Sequence, residues 1–339
     1  LVYSILKDVQ GTNLLDLAVH QAKQAVASSL NPRRHIRLIA TPKQDYTSKL
    51  SSESNIAINK GKGGPVSEAH LPQAMSEQNT TDHCQSHFRN HLGNDRPKLI
   101  STGATGLIER LPCGHVRKTP HPQDDPMTRS RSLHDLCIEH AVYLRVANLP
   151  HFLRTIDYWP EQGIVLQGMP GTILDRLQSE GDSHRISTAQ RLAWACDIAE
   201  ALHSLHAVHV IHGDVRPENI LLDESDRAYL IDFSGSWIDT EQGSAFESVR
   251  FRLPRSGEDD STVRTDLFAL GSVLYEIMTG MQPYIDLEDD VVEAKFRQGE
   301  FPGVDSIVCG RIILQCWEST VDSADDVRRA LESLSVEHI

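Results

Sequence analysis

The sequence lacks most of what a membrane-spanning, secreted or nucleic-acid-binding protein needs. No stretch of about 18 apolar residues occurs in its 339 residues, so no transmembrane helix is expected. The chain starts at Leu1 without the basic, apolar and small-residue succession of a signal peptide, and none is expected. Its six cysteines (Cys84, Cys113, Cys137, Cys196, Cys309, Cys316) show no paired spacing. That argues against a disulfide framework and suits a reducing, intracellular setting, cytoplasmic or nuclear. Aromatics make up only 6%, but 39% hydrophobic and 24% charged residues still provide for a core. Positive charge is short: the net charge is −14, and residues 1–97 carry +3, leaving −17 on the remainder. An acidic domain makes a poor nucleic-acid groove and favours basic partners or substrates.

Two regions differ in texture. Residues 1–97 read as an N-terminal segment. Between Asn13 and Leu30, residues Leu14, Leu15, Leu17, Ala18, Ala22, Ala25 and Val26 approximate one helical stripe, with a stop at Asn31-Pro32. Residues 41–96 are rich in Ser, Gln, Asn, Gly and Pro and are expected to be flexible. Asp82, His83, Cys84, His87 and His91 bunch within ten residues. Zinc asks for four good ligands and commonly a close cysteine pair, so this cluster reads as polar linker.

From Pro97 onward the pattern predicts strands over Lys98–Ile108, Gly114–Lys118, Leu153–Tyr158 and Ile164–Leu166, with a helix over Ser132–Leu149. Amphipathic helices are predicted at 187–207, 264–280, 306–317 and 323–334. The fold class is α+β: a domain over 98–335, with a small strand-rich lobe (about 98–168), a larger helical lobe (about 172–335) and a cleft between them.

The strongest local signal is His212-Gly213-Asp214-Val215-Arg216-Pro217-Glu218-Asn219, followed by Ile220-Leu221-Leu222 and then Leu230-Ile231-Asp232-Phe233-Ser234-Gly235. Asp214 and Asn219 are five apart, and Asp232 follows Asp214 by 18, room for a short hairpin between them. These segments resemble the catalytic and metal-binding loops of the eukaryotic-type protein-kinase family. Phosphoryl transfer needs charge neutralised and oxygens held in line. The resemblance implies ATP and Mg²⁺ as cofactors, with Asp232 and Asn219 as oxygen ligands of the metal and Asp214 as acceptor of the attacking hydroxyl's proton.

Further motifs follow in the family's order. Ser101-Thr102-Gly103-Ala104-Thr105-Gly106-Leu107-Ile108 resembles its glycine-rich loop, with Ser101 in place of the first of three glycines (Gly103 and Gly106 remain). Lys118, in Val116-Arg117-Lys118, and Glu139, 21 residues on, stand where the family's small-lobe ion pair is formed; the neighbours Arg117 and His140 leave each assignment open by one residue. Leu166 resembles the residue at the back of the adenine pocket, and Gln167-Gly168-Met169 the hinge that bonds the adenine edge. Ile108, Val116 and Leu221 are the implied sandwich around the base. Thr265 to Glu276 resembles the central helix of the large lobe, whose Asp266 holds the catalytic loop, and Cys316-Trp317 the buried pair near the domain's end. The resemblance covers about 238 residues, and Ile231 to Ser236 with Leu253-Pro254-Arg255 resembles a divergent fungal branch. No tyrosine lies between Gly235 and Pro254, so a Ser/Thr protein substrate, basic in character, is implied.

Departures from the pattern carry expectations of their own. Gly213 replaces the arginine that reads an activation-segment phosphate, which implies activity without that phosphorylation. Arg216 replaces a catalytic-loop lysine, and a guanidinium is no neutral exchange. Ser234 replaces a glycine and is expected to restrict Asp232. Arg255 and Val321 stand where a buried Glu–Arg pair is usual, implying that both partners were lost together. Two other readings stay open: a pseudokinase that binds ATP or scaffolds, and a small-molecule phosphotransferase of the aminoglycoside- or choline-kinase type, which shares the His-Gly-Asp loop.

Overall fold

The computed structural model describes residues 96–103, 105–122, 125–179, 186–255 and 260–337. The helix expected near 13–30 and the His/Cys cluster at 82–91 lie outside the described residues.

The run expected as one strand over 98–108 is broken by its glycines into β1 (Lys98–Thr102) and β2 (Gly106–Arg110). A five-residue turn, Leu111 to His115, then leads to β3 (Val116–Pro120). Here Leu111 N donates to His115 O and Gly114 N to Leu111 O, and Gly114 supplies the positive φ of 88°. With β4 (Thr155–Trp159) and β5 (Gly163–Leu166) they form an antiparallel sheet of order β1-β2-β3-β5-β4.

Helix α1 (Pro126–Val146) crosses behind this sheet and starts six residues earlier than its apolar pattern suggested. The cause is its cap: the Asp125 carboxylate accepts from the N–H groups of Met127 and Thr128, and Pro126 takes the first turn, where its missing N–H costs nothing. Its buried side carries Leu136, Ile138, Val142, Tyr143 and Val146.

The second lobe begins with β6 (Gly171–Thr172) and α2 (Ile173–Gln178), then α3 (Thr188–Ala207) capped by Ser187. Short strands β7 (Val210–Ile211), β8 (Ile220–Leu222), β9 (Ala228–Leu230) and β10 (Trp237–Ile238) pair as β6-β8-β9 and β10-β7. These pairings carry the loops on either side of the hairpin. Helix α4 (Val263–Thr279) is apolar nearly all round, as a helix at the centre of a bundle must be. Gly271 lets it approach α6 (Gly310–Trp317), since a Cβ there would lie 2.7 Å from Cys316 Cβ. Trp317 Nε1 donates to Ser272 Oγ across the same contact at 2.9 Å. Helices α5 (Asp289–Arg297) and α7 (Ala324–Glu337) complete the lobe, α7 packing along α3.

Candidate active site

Strand register decides which side chains of the first sheet face the cleft. Ser101 pairs with Ile108, Ile108 with Lys118, and Val116 with Leu166. Val116 and Lys118 are two apart, so these five side chains share one face. Glu109 and Arg117 form a pair on the other face, where Arg117 donates to Glu109 at 2.7 Å. A slip of one residue would exchange the two faces. The register therefore selects Lys118 over Arg117.

Lys118 Nζ lies 2.9 Å from Glu139 Oε2 and 2.6 Å from Asp232 Oδ1, joining β3, α1 and the loop after β9. His140, the neighbour of Glu139, instead stacks on Tyr158 with ring centroids 3.7 Å apart, and burial pushes its imidazole down to about 4. Burial opposes the charge on Lys118, but Asp232 and Glu139 outweigh it and hold the ammonium above the ordinary lysine range. Burial likewise opposes the charge on Asp232, and Lys118 outweighs it, bringing this carboxyl down to about 2. At Glu139 burial prevails and the carboxyl is raised. Asp232 sits at φ 66°, a strained conformation for a side-chain-bearing residue. Ser234 Oγ donates to its Oδ1 at 2.8 Å, the bond through which this serine ties the loop.

The loop after β7 hangs from one buried carboxylate. Asp266 on α4 accepts from His212 N and Gly213 N, each at 2.9 Å, and is 2.9 Å from His206 Nε2. The 3₁₀ turn Pro217–Asn219 then brings Asn219 back, its Nδ2 donating to Asp214 O at 2.9 Å and to Asp214 Oδ2 at 3.0 Å. Asp214 Oδ1 is buried without a hydrogen-bond partner, and burial raises this carboxyl. The result is an oriented carboxylate with one vacant acceptor.

Oxygen donors suit a hard cation. The Asp232 carboxylate is still 38% exposed beside Lys118, and Asn219, with its N–H groups spent on Asp214, has only its amide oxygen to offer a metal. These residues fit Mg²⁺ held jointly with phosphates. For the nucleotide, Leu166 is buried while Ile108, Val116 and Leu221 are half-buried, as walls of a cleft would be. A Cβ on Gly103 would meet Gly106 O at an ordinary contact distance of 3.9 Å. Gly106, by contrast, is required: a Cβ there would lie 1.9 Å from Thr119 O.

Some expected residues are placed differently. Arg216 turns onto Glu218 in a two-pronged pair at 2.9 and 2.6 Å. Ser101 lies on β1, which is exposed along its whole length. The buried ion pair expected to be lost is replaced instead: Arg255 Nη2 lies 2.6 Å from the buried Glu247 Oε2. A carboxylate nearer in sequence takes up the arginine's charge. Three contacts had no sequence signal. Arg110 Nη2 donates to Met169 O at 3.0 Å, tying the hinge to β2. His121 Nε2 sits 2.9 Å from Gly103 O, and Ser132 Oγ donates to Thr105 O, fastening the glycine turn to α1. Only the folded register brings such pairs together.

Comparison with known proteins follows the same lines. The family described as "Protein tyrosine and serine/threonine kinase" matches residues 128–334. The serine/threonine-protein kinase PknH of Mycobacterium bovis is 33% identical over 144 residues, covering 40% of this chain and 24% of the relative. PknD of Mycobacterium tuberculosis is 35% identical over 144 residues, covering 40% and 21%. PknE of the same species is 37% identical over 107 residues, covering 30% and 19%. The match thus spans about a quarter of the length of these relatives or less. They are mycobacterial, and the fungal placement is not borne out. With a family match over residues 128–334 and the β-rich and helical lobes described above, the chain belongs to the protein tyrosine and serine/threonine kinase family.

Proposed function

We propose that this chain is an ATP- and Mg²⁺-dependent protein kinase that phosphorylates serine or threonine hydroxyls. The observation that carries the proposal is the convergence of Lys118, Glu139 and Asp232 within 2.9 Å, facing the loop of Asp214 and Asn219. In this reading the Lys118 ammonium, oriented by Glu139, meets the α- and β-phosphates when nucleotide enters. Asp232 and Asn219 hold the metal, which when bound neutralises phosphate charge. Asp214 Oδ1 accepts the hydroxyl hydrogen of the substrate and takes its proton as the new O–P bond forms and the bond from the γ-phosphorus to the bridging oxygen breaks, releasing ADP. Ile108, Val116, Leu166 and Leu221 enclose the base, with Gln167 and Met169 at its edge, and Gly103 and Gly106 line the phosphate turn that follows Ser101. The Ser/Thr preference rests on the names of the relatives and on the absence of tyrosine between Gly235 and Pro254. The domain is taken to span 98–335 and to act on a protein substrate, basic in character.

One observation favours a second reading, a pseudokinase: Arg216 is committed to Glu218 rather than to the carboxylate it would assist. Mg²⁺-dependent transfer from ATP to a generic basic protein separates the two. Asp214→Asn is expected to lower transfer by at least about 100-fold, the contribution of a general base. No transfer above that of the variant, with Mg·ATP still raising the wild-type Tm, would establish the pseudokinase reading.

A further inference from the structure

The pairing of β2 with β3 ends where Gly106 lies opposite Pro120. Proline has no N–H to give, so the backbone ladder cannot run on to hold the turn between β1 and β2. Two side chains beyond Pro120 take over. His121 Nε2 lies 2.9 Å from Gly103 O, and since a carbonyl only accepts, the imidazole donates from this nitrogen. Ser132 of α1, 2% exposed, accepts from His121 N at 3.3 Å and donates its Oγ to Thr105 O. The turn is also closed on itself, Gly103 N donating to Gly106 O at 2.9 Å, and pressed onto β3, where Gly106 leaves no room for a Cβ beside Thr119 O. Ser132 and Glu139 stand seven residues apart, two helical turns, and share one face of α1. The same helix therefore orients the Lys118 ammonium and holds the glycine turn.

We propose that Ser132 and His121 are positioning residues for the phosphates of the nucleotide, holding the turn in its phosphate-receiving form before nucleotide arrives. In a planar trans peptide the C=O and the N–H point in opposite directions. Tying Thr105 O to α1 thus turns the Gly106 N–H away from the helix and fixes its direction. A glycine-containing turn left free would lose its backbone freedom on meeting the phosphates, and affinity would fall by that loss. Bonds from His121 and Ser132 that exist beforehand reduce it. Their effect reaches only ligands that carry phosphate. A nucleoside fills the cleft of Ile108, Val116, Leu166 and Leu221 without meeting the turn.

This inference rests on the nucleotide site of the reading above, but not on turnover. The test is calorimetric titration of the full chain, in Mg²⁺, with the uncleavable β,γ-imido analogue of ATP and with adenosine. The variants are Ser132→Ala and His121→Phe, which keeps a ring but has no donor. Each is expected to weaken the triphosphate by roughly three- to tenfold, the range of one hydrogen bond, and to leave adenosine within about twofold of wild type. An equal loss for both ligands would mean that these residues merely support the fold, and would overturn the proposal. So would an unchanged affinity for the triphosphate. Tighter triphosphate binding in either variant would mean that the bonds hold the turn away from the phosphates, and would overturn it as well. Wild type that binds neither ligand would overturn the nucleotide reading itself, and this inference with it.

Discussion

Glu276 shows how one buried carboxyl can report on its surroundings. It lies on α4 beneath the Arg216–Glu218 pair, 2% exposed, with Oε2 lacking a hydrogen-bond partner. Burial, then the charge of Glu218, push it up from an ordinary 4.5 to about 7, Arg216 offsetting only part. The fold thus favours its protonated form. That contribution to stability is complete below about pH 4.5 and lost as pH rises through about 7. Glu276→Gln, which cannot ionise, is expected to match wild type in Tm near pH 4.5 and to exceed it increasingly up to pH 8. Parallel Tm curves over this range would refute the assignment. The same scale shows where sequence reading ended. Asp214, Asn219 and Asp232 stood out through the resemblance of their segments to a known family's loops, a pattern carried by residues close together in the chain. Arg216 was legible as a residue but not as a partner of Glu218, since side-chain direction depends on neighbours that composition does not reveal.

Among the elements, α1 positions Glu139, and its start is determined by Asp125. The expected helix over 132–149 began too late because its apolar pattern starts after the capped polar turn. It ended too late because the chain leaves the helix at Val146. Asp125→Ala removes the acceptor for two orphan N–H groups and is expected to cost about 1 kcal/mol, read as a lower urea midpoint with unchanged slope. Hydrogen exchange should rise first in residues 126–130. A uniform rise along the whole of α1 would show that the cap does not act locally. The strands illustrate the converse. Those of the first sheet were foreseen within a few residues, apart from the break between β1 and β2, yet choosing between Lys118 and Arg117 required the register of β3 with β2 and β5.

At the scale of the whole molecule, α4 joins the core to the chemistry. Its apolar sides pack against α3 and α6, while Asp266 at its first turn holds the loop that carries Asp214. Asp266→Asn places an amide donor where two backbone N–H groups need acceptors. It is expected to destabilise by roughly 1–3 kcal/mol, a Tm lower by several degrees for a domain of this size. Under the proposed function it also lowers phosphoryl transfer, because the Asp214 loop loses its anchor. An unchanged Tm would show that the loop holds itself.

The sequence by itself determined the two-lobed α+β plan and placed Asp214, Asn219 and Asp232 in segments that resemble a known family's loops. It did so because apolar periodicity and short-range spacing are local properties of a chain. The tertiary structure decided what depends on distant segments meeting. It set the convergence of Lys118, Glu139 and Asp232, the replacement of a lost ion pair by Arg255 with Glu247, and the seat of Ser244 on Asp135. Such contacts join residues as much as 114 positions apart. Their geometry is set by register and packing, which no local pattern encodes.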